Sequence, residues 1–150
     1  MTEIRLILGD QLSPRHSWFD RASPDVVYVL IEMRQETDYV RHHAQKIIAI
    51  FAAMRDFAAR LREQDHRVDY LAIDDPANRQ SLTANLDLLI ERYGATCLSW
   101  QAPDEWRVDR QLADYAASLG IAAQMVDSEH FLSARDDVAT QFAGRKQWLM

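Results

Sequence analysis

Glycine is scarce in this 150-residue chain, and its four copies, Gly9, Gly94, Gly120 and Gly144, stand far apart. They supply neither a G-x-G-x-x-G turn nor a Walker phosphate loop, which removes two common ways of cradling a nucleotide. Cysteine is scarcer still. The single Cys97 excludes an internal disulfide and any zinc or iron–sulfur site that needs two or more thiolates from this chain. It fits a reducing, cytoplasmic setting. No stretch approaches the ~20 apolar residues of a membrane span, and the residues after Met1 lack the basic start of a signal peptide. The expectation is a protein that is neither exported nor inserted. Positive charge is also in deficit, with 17 Lys and Arg against 23 Asp and Glu and a net charge of -6. That balance argues against duplex nucleic acid or a membrane surface as the main partner of this chain alone.

What is present is an ordinary globular composition, 48% apolar and 27% charged, in a length that can bury one core. Short β-type runs alternate with helical patterns. Ile4 to Leu8 reads as a first strand stopped by Gly9, and the almost unbroken apolar run Val26 to Ile31 as a central strand covered on both faces. From Tyr39 to Arg62, Val40, Ala44, Ile47, Phe51, Met54, Ala58 and Leu61 recur at alternating steps of four and three, which predicts one long helix. Ile48, Ile50 and Phe57 widen that stripe beyond a coiled-coil seam, so the helix is expected to lie against a sheet. Then follow a strand (68–73), a helix (81–93), a strand (96–100), a helix (105–119) and a strand (121–126). Gly94 and Gly120 are placed as left-handed caps. The fold class expected is α/β, a Rossmann-like three-layer sandwich with a five-stranded, mostly parallel sheet.

In such sheets ligands lie beyond the carboxyl ends of the strands. Gly9-Asp10-Gln11 offers close backbone approach, an acceptor and an amide, or simply a capped turn. Glu32 to Tyr39 is dense in hydrogen-bonding groups, able to rim a planar ligand or to face water. His42 and His43 point about 100° apart on a helix and cannot share a metal, whereas His43, Ile47 and Ile50 share a face able to cover a ring, with Tyr39 near the helix start. Asp74-Asp75-Pro76 reads as an Asx-type turn. Trp106 and Arg107 beside Glu105 are able to stack or clamp. No nucleophile elbow or triad order is visible, so no catalytic residue and no metal ligand is assigned.

Several stretches together carry a resemblance: Leu6-Ile7-Leu8-Gly9-Asp10-Gln11-Leu12-Ser13, Glu36 through Ile47, Ile73-Asp74-Asp75-Pro76, Asp104-Glu105-Trp106-Arg107, Phe131-Leu132 and Gly144-Arg145-Lys146-Gln147. In this order they resemble the amino-terminal domain of the deoxyribodipyrimidine photolyase-related proteins, the iron–sulfur bacterial cryptochromes and (6-4) photolyases. The resemblance implies an α/β domain that precedes a larger helical domain holding FAD and a four-iron four-sulfur cluster, in proteins that repair DNA or sense light. It further implies a pocket for the antenna 6,7-dimethyl-8-ribityllumazine, framed by Gly9, Asp10, Gln11, Ile31, Glu32, Glu36, Tyr39, His43, Ile47 and Ile50.

The division expected is an antenna-type domain over residues 1–132 and the start of a connection over 133–150, where Ser133 would cap a helix through Phe142. The apolar ending Gln147-Trp148-Leu149-Met150 suggests continuation into an absent domain. FAD and the cluster would belong there, and the chain alone would not be catalytic. Expected partners are that C-terminal helical domain, a small-molecule chromophore and, through the full-length protein, damaged DNA; no membrane is expected. Two other readings remain: a structural or interaction domain with a vestigial pocket, and a stand-alone nucleotide-binding regulator.

Overall fold

A computed structural model describes residues 1–144 of the chain. The first strand, β1 (Glu3–Leu6), pairs on one side with β2 (Val26–Ile31), which pairs in turn with β3 (Val68–Leu71). On its other side β1 pairs with β4 (Cys97–Gln101), and β4 with β5 (Ala122–Val126). All four pairings are parallel, in the order β3-β2-β1-β4-β5. The middle strand is therefore β1, with β2 an interior neighbour. All six residues of β2 are buried, as its unbroken apolar run requires.

Period-two alternation in β2 divides the core. Val26, Tyr28 and Leu30 face α2 (Ala44–Glu63), whose Met54, Phe57, Ala58 and Leu61 are buried against them. Val27, Val29 and Ile31 face the opposite layer, where α3 (Leu82–Tyr93) and α4 (Trp106–Ser118) contribute Leu86, Leu89, Val108 and Leu112. Each large apolar side chain so buried is worth roughly 1.5–3 kcal/mol relative to exposure. The result is a three-layer α/β sandwich.

Several boundaries differ from the sequence reading. The long helix begins at Ala44, not Tyr39. A short helix, α1 (Arg34–Asp38), ends with Tyr39 as its C-cap, and the chain then turns through His43. His43 is extended (φ -68°, ψ 134°) and caps α2, its Nδ1 accepting the Gln45 N–H at 3.2 Å. Val40 falls in register with the apolar stripe but lies in that turn, 50% exposed, and Ile48 points to solvent. β1 begins one residue before and ends two residues short of the expected run Ile4 to Leu8, and β3 ends at Leu71, two residues short of position 73.

Gly94 does cap α3 in the left-handed region at φ 55°. Gly120 does not: Leu119 ends α4 in an extended conformation, and no left-handed residue is needed there. The expected helix from Ser133 to Phe142 is reduced to α5 (Asp137–Gln141), with the Asp137 carboxylate accepting from the Ala134 N–H. The apolar ending 147–150 lies outside the described residues. Among the described residues, no helix is long and apolar enough to cross a membrane.

Candidate functional site

The chain steps outward from β1 through β2 to β3, then returns to β4 on the other side of β1. Neighbouring strands thus send their following loops to opposite faces, opening a crevice beyond the carboxyl ends of β1 and β4. Gln11 ties its floor together. Its side chain is buried, its Nε2 donates to the carbonyls of Gln101 (3.2 Å) and Ala102 (3.3 Å), and its Oε1 accepts from the Leu8 N–H.

A cavity of about 320 Å³ occupies this edge of the sheet. That is the lower end of the ~300–1,000 Å³ range of small-molecule pockets. Its floor is the end of β1 with Ile31 at the end of β2 and Met33 beyond it, and α2 supplies one wall through Ile47, Ile50, Phe51 and Met54. Leu82, Pro103 and Val108 close the opposite side. The rim is polar: Asp10, Glu36, Thr37, His42, Lys46 and Glu105, with the Tyr39 ring among them. Gly9 lets α2 come close, since a Cβ there would meet the side-chain atoms Ile50 Cγ2 and Met54 Sδ at 3.2 Å, tighter than ordinary contact.

Seven of the ten residues singled out in the sequence meet around this cavity: Gly9, Asp10, Ile31, Glu36, Tyr39, Ile47 and Ile50. Three do not line it. Gln11 turns inward to the strand ends, and His43 is spent on the cap of α2. Glu32 is wholly buried and faces away, receiving Arg55 Nε (2.6 Å) and Nη2 (2.8 Å), the Tyr70 hydroxyl (2.6 Å) and the Ile73 N–H (2.9 Å). Burial alone would raise its pKa, but these donors outweigh burial and hold the carboxyl below its ordinary range.

Arg107 is the organiser of the rim. Its Nη2 donates to Glu36 Oε2 at 2.8 Å, its Nε donates to Glu105 Oε1 at 2.9 Å, and its guanidinium carbon lies 4.4 Å from the centroid of the Tyr39 ring. The bonds to Glu36 and Glu105 drive its pKa further above the ordinary arginine value. The adjoining Trp106 does not line the cavity and is 75% exposed. At the other lip, desolvation pushes the Asp10 carboxyl up, with Asp104 and Glu105 adding to the effect and His130 opposing it.

The remaining candidates fall outside the cavity. Asp75 Oδ1 accepts the Ala77 N–H at 2.8 Å, the hydrogen bond of the expected Asx-type turn at Asp74-Asp75-Pro76. Among the described residues, no group of three or more His, Cys, Asp or Glu side chains could hold a metal ion. The cavity offers shape, apolar walls and hydrogen-bonding groups.

The family model for deoxyribodipyrimidine photo-lyase-related proteins matches residues 5–150. The chain belongs to this photolyase-related family. It is also 38% identical over 152 residues to a (6-4) photolyase of Agrobacterium fabrum (strain C58 / ATCC 33970). That alignment covers all of this chain and 30% of the relative, so the chain spans about a third of the length of the photolyase it matches. The photolyase-related match runs through both halves of the cavity, from β1 and α2 to the Arg107 side of the rim.

Sequence reasoning singled out Glu105 and Arg107 on the far side of this site and missed part of its apolar lining. Leu82 and Val108 look like plain core positions, and nothing local marks them as cavity lining. Thr37 lay within the polar link already singled out. Phe51 and Met54 were legible as the apolar stripe of α2, although not as walls of a cavity.

Proposed function

We propose that this chain is the antenna domain of a photolyase-related flavoprotein acting in light-dependent DNA repair or blue-light sensing, and that it binds a chromophore without catalysing a reaction itself. The observation that supports this most directly is the cavity at the carboxyl edge of β1, apolar on its walls and polar at its rim, in a chain of the photolyase-related family.

The residues present suit 6,7-dimethyl-8-ribityllumazine. A flat, methyl-bearing ring system matches the aliphatic walls formed by Ile31, Ile47 and Ile50, while a polyol side chain and ring amides match Asp10, Glu36 and Thr37. When bound, such a group supplies absorption of light and passes excitation to a flavin. The protein's part is to hold it rigidly, keep water from its faces and tune its surroundings. Gly9, Asp10, Glu36, Tyr39, Ile47 and Ile50 would do this directly. Gln11, Glu32 and His43 would act at one remove, by fixing the strand ends and the start of α2.

FAD and a four-iron four-sulfur cluster are assigned to sequence beyond these 150 residues, because Cys97 alone cannot ligate such a cluster. A helical domain carrying them is the proposed partner. Exposed Phe131, Leu132 and Val138 give it an apolar surface to dock on. Damaged DNA would be gripped mainly by that domain, in keeping with the net charge of -6 here.

The test is a titration of the purified chain with 6,7-dimethyl-8-ribityllumazine, following the ligand's absorbance and fluorescence. Saturable binding in the low micromolar range is expected. A folded chain, by circular dichroism, that leaves the ligand's spectra unchanged at tens of micromolar would overturn the antenna reading and favour a structural domain with a vestigial pocket.

A further inference from the structure

The segment that crosses the cavity mouth is anchored at its start and crosses the mouth on a thinner set of ties. The Arg34 N–H donates to Gln80 Oε1 at 3.0 Å. Gln35 accepts from the Leu82 N–H at 2.9 Å and donates to Gln111 Oε1 at 2.7 Å. These bonds fix the first turn of α1 to α3 and α4. Beyond Thr37 the chain runs through exposed Asp38, Tyr39 and Val40 to His43 before α2 begins. Tyr39 touches the His42 ring edge-on at 5.2 Å, a contact within the segment itself.

Among the described residues, the side chain that reaches Tyr39 from the body of the domain is Arg107. Its guanidinium carbon lies over the ring, 4.4 Å from the centroid, while its nitrogens carry the bonds to Glu36 and Glu105. Glu36, Tyr39 and Glu105 all line the cavity, so one side chain grips both shores of the mouth. A flat fork that stacks with one surface and bonds with its edge is a property of arginine that lysine does not share.

We propose that Arg107 is a positioning residue that latches the strap from Glu36 to His43 across the cavity mouth and so sets how fast a ligand enters and leaves. The inference rests on the ligand-binding reading above. With the latch closed, Tyr39 is held over the entrance; with it released, residues 38–43 swing on the anchored first turn of α1 and on the cap at His43. Removing Arg107 therefore raises both the entry and the exit rate. Loss of an ordinary wall contact would raise the exit rate alone.

The experiment is stopped-flow fluorescence with 6,7-dimethyl-8-ribityllumazine on the wild-type chain, Arg107→Gln, Arg107→Lys and Tyr39→Leu. Losing one exposed stacking contact and its ion pairs corresponds to a rise of about three- to tenfold in the exit rate, with a smaller rise in the entry rate. Arg107→Lys, which keeps charge beside Glu36, should fall between wild type and Arg107→Gln. The double variant Arg107→Gln/Tyr39→Leu should be no faster than the worse single one. An unchanged entry rate in Arg107→Gln, or additive effects in the double variant, would overturn the latch.

A second arm needs no ligand. Backbone amides of residues 38–43 should exchange hydrogen faster in Arg107→Gln than in wild type, with α3 and β1 unchanged. Equal exchange in the strap overturns the proposal. Should the wild-type chain fail to bind the ribityllumazine, the antenna reading fails, and the exchange comparison still decides whether Arg107 is a latch.

Discussion

The Glu32 carboxylate and the Arg55 guanidinium are joined by paired bonds of 2.6 and 2.8 Å, although Glu32 is wholly buried and the Arg55 side chain is 56% exposed. The pair fastens the end of β2 to the middle of α2, next to Met54 in the cavity wall. Arg55→Ala leaves a buried carboxylate with Tyr70 and one backbone N–H. Breaking a fully buried pair costs roughly 3–5 kcal/mol, and solvent access at Arg55 reduces this to about 2 kcal/mol. Chemical denaturation of the variant measures it. Because Arg55 stands one position from Met54, the ribityllumazine titration should weaken as well.

The same carboxyl gives a pH dependence with a definite sign. Its folded pKa lies below the unfolded value, so its stabilising contribution is present above about pH 4.5 and is lost as the pH falls through the folded pKa. Wild-type unfolding free energy should decline on acidification below that point, and Glu32→Gln should show a flatter profile there. Parallel profiles for the two proteins would show that Glu32 carries no such linkage.

A quite different outcome is expected at Gln11. Alanine in its place leaves the carbonyls of Gln101 and Ala102 and the Leu8 N–H short of partners at the junction of β1 and β4, at a cost of about 1–3 kcal/mol. Gln11→Glu should be worse near neutral pH, since a carboxylate would face two carbonyl oxygens in a buried site. Its folded pKa would then lie above the unfolded one, so this variant should regain stability as the pH drops toward 4, opposite in sign to the wild-type behaviour at Glu32. Thermal unfolding at pH 7 and pH 4 separates the three proteins.

The layers and strand count were legible in the sequence because hydrophobic period is a local property: six apolar residues in β2, alternation of four and three in α2, glycine after α3. The start of α2 was not, because Val40 lies in register with Ala44 and Ile47 while the backbone breaks at His43, a residue type less common at caps than Ser, Thr, Asp or Asn. For the site, sequence order placed Gly9, Asp10, Glu36 and Tyr39 at strand ends. It carried no information on which way Gln11 and Glu32 would turn, since each choice depends on a partner from another strand or helix. The meeting of Arg107 with Tyr39 is likewise a product of topology: β4 returns beside β1 and carries α4 to the far shore of the mouth.

The cavity itself is tested most sharply where α2 comes closest to β1. Gly9→Ala places a methyl group 3.2 Å from Ile50 Cγ2 and Met54 Sδ, tighter than ordinary contact, and both neighbours are side chains able to shift by a few tenths of an ångström. Stability should therefore fall only modestly, by about 1 kcal/mol, within the range for mild overpacking. The displaced atoms move into the space a ring would occupy, so affinity for the ribityllumazine should drop several-fold. Ile47→Trp is the stronger version. Ile47 is half-buried, so the larger ring can lie in the cavity without prying α2 from the sheet, where Phe57, Ala58 and Leu61 hold it. Binding should be lost while the melting temperature changes by only a few degrees. If Ile47→Trp bound the ligand as the wild type does, the chromophore would have to lie elsewhere on the domain, because the indole would occupy the α2 wall against which the ring is placed.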